Sequence, residues 1–366
     1  MNVALLGPSL QALAQRSGAA LADMGVLYSA LSIGYLVSTP LVVLVSRRFG
    51  LRPLLAAAAV IAASLGLFAV APSLSAMLFA AVLLGFGQSC TQIGYVTWIG
   101  LQLRDGNESA TVLNRVLAFY GVGALFGPLV VSACFQLFGD ALPAFGFVIV
   151  PNVAVTLLGL LLPQAQAQVS DERGGAARGA SALLRVPAVL WMASLLAVYV
   201  GAEVAFSSWV TEVVIRTMGV DAAQAALSAS AFFGAFAGGR FFAGALLART
   251  GVMRGLFLLL AAAGCGIVVM LLPGVPLPLT VAAAALVGAG YGPIFPTVTS
   301  IVIQRFPGDA AAVSSVIGGI ASFGMFLAPP ITGWVLAGAG GPIAAWGVQL
   351  LLIAAMAAIL ARLRPL

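Results

Sequence analysis

Pro163 to Arg185 reads PQAQAQVSDERGGAARGASALLR and cuts the chain into two stretches of similar length. It carries three Arg, one Asp and one Glu among small and polar residues, so it reads as a solvated linker. On either side the character reverses. Apolar runs occupy residues 24–45, 53–71, 76–101, 110–138 and 142–162 before it. Runs at 187–213, 222–248, 253–272, 277–303, 309–337 and 342–361 follow it. A helix crossing a bilayer needs roughly 20 mostly apolar residues, so these are eleven expected spans. The opening run, Met1 to Ala14, is too short to cross alone and is expected to be the remainder of a twelfth, truncated helix. The expected organisation is a six-helix bundle over 1–163, a linker over 164–185 and a second six-helix bundle over 186–366.

Composition supports this. Of 366 residues, 62% are hydrophobic and 7% charged, with a mean hydropathy of +1.14. Soluble domains carry about 25% charged residues, so this chain could not cover a water-facing surface. The net charge of +6 does not imply nucleic-acid binding, because the Arg residues fall in small groups between apolar runs rather than on one basic face. No His is present, and Cys90, Cys134 and Cys265 lie singly inside apolar runs, which excludes the familiar zinc spacings and points to buried free thiols. No Walker motif is found, and the Gly121-Val122-Gly123 run follows no strand, so neither a nucleotide-driven pump nor a dinucleotide site is expected. Nothing supports an enzyme, a metal or a cofactor. The expected partners are a small solute and the lipid bilayer, with the chain acting as a monomer.

With the linker placed in the cytoplasm, 13 of the 16 Arg residues lie on that side. They include Arg47, Arg48 and Arg52 in one loop and Arg249 and Arg254 in another. Positive residues stay inside, so the expected location is the inner (plasma) membrane with both termini cytoplasmic.

The two stretches also share punctuation at an offset of 201 residues. Gly50 corresponds to Gly251, Pro72 to Pro273, Gly87 to Gly288, Gly123 to Gly324 and Pro128 to Pro329. Two parallel six-helix halves are an arrangement of secondary transporters.

The loop from Ser46 to Arg52, SRRFGLR, resembles the basic loop of the major facilitator superfamily, with Val43 and Arg47 standing where that pattern has Gly and Asp. Three further stretches resemble its fucose-permease-like sugar branch. They are LNRVLAFYGVGALFGP from Leu113 to Pro128, Gly201-Ala202-Glu203 followed by Trp209, and GYGPIFPT from Gly290 to Thr297. The resemblance implies a twelve-helix fold with a solute cavity lined by helices 1, 4, 7 and 10. It also implies that Arg47, Arg48, Gly50, Arg52, Arg249 and Gly251 belong to cytoplasmic gating loops.

Polar residues on those four helices are the candidate solute site. Gln88, Gln92 and Tyr95 share one helical face, as do Tyr199, Glu203 and Ser207. Amides and acids are costly in hydrocarbon, and sugar hydroxyls are good partners for both, although amides also join membrane helices to one another. Tyr291 and Phe295 are placed to stack on a sugar ring, and Asn2 and Gln11 are the polar positions of the first helix. Glu203 reads as the one acid deep in a span, and so as the proton-coupling residue, because Gln88 and Gln92 cannot exchange protons. Arg240 reads as structural, its long side chain snorkelling to the interface. A sugar or similar polar solute is the leading expectation. Two alternatives are an exporter of drugs or metabolites and a membrane sensor that does not transport.

Overall fold

The computed structural model describes residues 1–102, 106–162, 183–306 and 310–363. Most of the linker, together with Arg104, Arg173, Arg178 and Arg364, lies outside them, as do the side chains of Arg47, Asn114 and Arg115. Among the described residues every long element is a helix. In hydrocarbon each backbone polar group must be bonded within its own segment, and helices achieve this. They are α1 (Leu6–Ser17), α2 (Val26–Phe49), α3 (Arg52–Leu55), α4 (Ala58–Val70), α5 (Leu74–Gln102), α6 (Gly106–Phe138) and α7 (Pro143–Leu161). After the linker come α8 (Pro187–Met218), α9 (Ala222–Thr250), α10 (Val252–Leu271), α11 (Leu277–Tyr291), α12 (Ile294–Arg305), α13 (Ala310–Ala337) and α14 (Gly341–Leu363). Eleven spans are long and apolar enough to cross a membrane; α3 with α4 forms one, and α11 with α12 forms another.

Local chemistry sets the ends. Pro143 and Pro187 open α7 and α8, where a missing N–H costs nothing. The side chain of Asp221 caps α9 by accepting from Gln224 N at 2.7 Å. Gly50 and Gly251 close α2 and α9 at φ of +72° and +78°, so the two members of this repeat pair share one left-handed helix end.

The repeat is visible in packing, with one correction. Gly87 on α5 sits against Ala57 and Ile61, and Gly290 on α11 sits against Leu259 and Ala263. Likewise Gly85 meets the Leu31 carbonyl, and Gly288 meets that of Phe232. The partner of Gly87 is therefore Gly290 rather than Gly288. The loop after Pro273 is longer than the one after Pro72, which moves the whole of the following helix along by one Gly step.

Helices α2 and α13, and α6 and α9, join the two halves. Away from the Arg-rich turns this seam is shut: Ser29 and Ser32 on α2 donate to the Phe326 and Ser322 carbonyls of α13, at 2.5 and 2.8 Å. Toward the Arg-rich turns, Gly244 on α9 and Gly318 and Gly319 on α13 face open space. The described residues close the molecule on its Arg-poor side.

All three cysteines are free thiols. Cys90 and Cys134 are buried, whereas Cys265 is exposed on α10, where a small residue in a bilayer needs no protein neighbour.

Candidate functional site

The exposed line of α5 is what its neighbours leave uncovered. Its Gly85 and Ser89 face α2, and Gly87 and Gly94 face α3 and α4. Gln88 and Gln92 lie on the remaining side, where Gln88 is half-buried and Gln92 exposed. Asn2 Nδ2 approaches Gln88 Oε1 at 3.5 Å and Asn152 Oδ1 at 3.3 Å, and Asn152 Nδ2 returns a bond to Asn2 Oδ1 at 2.9 Å. This amide cluster joins the start of the chain, α5 and α7. Tyr95 turns aside and donates to the Val155 carbonyl at 3.1 Å.

The second group forms where α8, α9, α11 and α12 meet. Tyr199, Tyr291 and Phe295 are one aromatic cluster, with ring centroids 6.1 Å apart for Tyr199–Tyr291 and 6.3 Å for Tyr199–Phe295. Glu203, one turn along from Tyr199, faces the same space, and Arg240 faces it from α9. The fully buried Tyr199 hydroxyl lies beside both charged groups, close enough to interact with each but outside good hydrogen-bond geometry with either. A carboxylate, a guanidinium and a phenol thus converge beside an aromatic wall. Such a set can accept from and donate to a neutral polar solute.

Four placements differ from expectation. Gln11 lies toward the Arg-poor end, where with Gln15, Arg16 and Asp140 it lines a cavity of about 580 Å³. Ser207 stays on its own helix, donating to the Val204 carbonyl at 3.2 Å. Glu203 is not the one acid embedded in α8: the helix continues to Met218, so Glu212 is buried too. There it bonds Arg216 Nε at 2.7 Å, and Arg216 also donates to the Leu336 carbonyl at 3.1 Å. Arg240 does not snorkel. Its guanidinium points back along α9, over the Phe236 ring at 4.4 Å, and Nε donates to the Gly292 carbonyl at 3.0 Å.

Gln349 of α14 escaped the sequence reading. It is fully buried, and its amide is satisfied when the nitrogen donates to the Ala202 carbonyl at 3.2 Å and the oxygen accepts from Phe206 N at 3.1 Å. Those two groups are four residues apart, so the side chain lies along one turn of α8 beside Glu203. The signal for it, and for Asn152, was an amide in an otherwise apolar run. In the loops expected to gate, Arg48, Arg52 and Arg249 are exposed.

The sequence matches the Major Facilitator Superfamily over residues 1–329, and the chain belongs to that family. No curated protein sequence matches it. Among solved structures it is similar to a nucleoside transporter, with a TM-score of 0.79 and 16% identity over 98% of this chain and 94% of that one. It is also similar to the E. coli fucose:proton symporter, with a TM-score of 0.64 and 18% identity over 98% of this chain and 95% of that one. At those identities the likeness establishes the fold. Family and fold make this a multi-pass membrane transporter, not an enzyme.

Proposed function

We propose that the chain is a proton-coupled transporter of a neutral, polyhydroxylated solute, a sugar or a sugar-bearing molecule. The observation that carries this reading is the convergence of Glu203, Arg240 and the buried Tyr199 hydroxyl beside Phe295. Opposite charges of equal number suit a neutral solute with hydroxyls for both, and an aromatic face suits the apolar face of its ring. The two structural neighbours, a nucleoside transporter and a fucose:proton symporter, carry solutes of this class. Gln92 and Gln88 supply amides from the first half, and Glu203 is the group that exchanges the proton. Residues 1–163 and 186–366 rock about the linker at 164–185, with the Arg-rich side in the cytoplasm and the gating loops around Gly50 and Gly251 closing there.

A thermal-shift screen of the purified protein tests this against L-fucose, D-glucose, D-mannitol and uridine, with dicarboxylates and cationic drugs as the contrast. Stabilisation by the hydroxylated compounds is expected. Stabilisation only by cationic drugs would instead favour the exporter reading.

A further inference from the structure

The span formed by α11 and α12 is broken between Tyr291 and Ile294, and its own prolines account for the break. A helix carbonyl accepts from the N–H four residues on. Pro293 and Pro296 have none, so the carbonyls of Ala289 and Gly292 lose their partners. In hydrocarbon an orphaned carbonyl is costly, and a neighbouring helix has to meet it. Helix α9 meets both. The Cα of Gly239 abuts the Ala289 oxygen, and Arg240 Nε donates to the Gly292 oxygen at 3.0 Å. Gly292 itself packs on the Phe236 carbonyl so closely that no side chain fits there, which brings its oxygen within reach of the arginine.

We infer that Arg240 is a positioning residue: its guanidinium replaces the N–H that Pro296 removes, and so fixes the break that aims Tyr291 and Phe295 at Tyr199. This rests on the transport reading only in its consequence for solute affinity. The bond itself concerns the fold of the α11–α12 span and stands apart from which solute is carried. Arg suits the position because Nε is spent on the carbonyl while two terminal nitrogens remain toward Tyr199 and Glu203. Lys, a single ammonium, cannot hold that geometry.

The test is a double-mutant cycle between Arg240→Met and Pro296→Ala in the full chain in nanodiscs. Pro296→Ala restores the backbone N–H that the Gly292 carbonyl lacks. Arg240→Met, which keeps the length of the side chain but has no donor, should alone lower the melting temperature by a few degrees, and Pro296→Ala should recover most of that loss in the double variant. If Arg240→Met does not accumulate in the membrane, its expression level is read instead, and Pro296→Ala should raise it. A purely electrostatic or packing role for Arg240 would leave the two changes additive, and additivity overturns the inference. A second readout uses whichever of L-fucose or uridine binds the wild type. Arg240→Lys should weaken that binding roughly tenfold, and adding Pro296→Ala should restore part of it. Binding of neither probe removes the solute reading and leaves the stability cycle to decide the positioning role.

Discussion

The hydroxyl of Ser29 donates to the carbonyl of Phe326 across 2.5 Å, and that carbonyl is free because Pro330, four residues on, has no N–H to offer it. A proline in one half thus creates the acceptor that a serine in the other half uses to shut the Arg-poor side. Helix α13 carries the adjacent Pro329, whose own carbonyl accepts from Trp209 Nε1 at 2.7 Å.

Ser29→Ala should therefore favour opening on that side. A buried carbonyl left without its donor costs about 1–3 kcal/mol, enough to shift a closed population several-fold. Spin labels at Ala20 and Ala337, both exposed near the seam, provide the readout. A longer component should grow in their distance distribution. An unchanged distribution would mean the bond contributes nothing to closure.

Gln92 and Asn152 should separate solute binding from helix joining. Asn152 is buried in a reciprocal bond with Asn2, so Asn152→Ala should lower the melting temperature with or without solute. Gln92 is exposed and bonds nothing among the described residues, so Gln92→Ala should leave the unliganded melting temperature alone. It should weaken solute binding several-fold, the value of about one hydrogen bond. Isothermal titration with the solute beside unliganded melting curves checks both.

Orientation is tested by labelling from each side of the membrane. With the three native cysteines replaced by Ala, a Val252→Cys variant, altered at an exposed position, should react with an impermeant maleimide only from the cytoplasm. Leu272→Cys, also at an exposed position, should react only from outside. Reversed labelling would overturn the reading of the Arg distribution.

The spans and the family were legible because hydropathy and punctuation are local. Eleven runs, the glycine ends at Gly50 and Gly251, and the motif around Gly290-Tyr291-Gly292-Pro293 each need only neighbouring residues. What escaped depended on register between helices. The shift that pairs Gly87 with Gly290 arises in a loop, which a fixed offset cannot see. The role of Arg240 depends on a carbonyl 52 residues away, and that of Gln349 on backbone groups of a helix it is not part of. Glu212 lay within the expected run at 187–213, but its burial depends on how the end of α8 and Arg216 pack against α13.

The central claim is that Glu203 couples solute to protons, and uptake by the protein in liposomes tests it most directly. With an acid-outside pH gradient and no solute gradient, the wild type should accumulate labelled L-fucose or uridine above its external concentration. Glu203→Gln keeps the size and hydrogen bonding of the side chain but cannot release a proton. It should lose accumulation while still exchanging internal for external solute at a comparable rate. Accumulation by Glu203→Gln at the wild-type level, or failure of the wild type to accumulate either probe, would contradict the account.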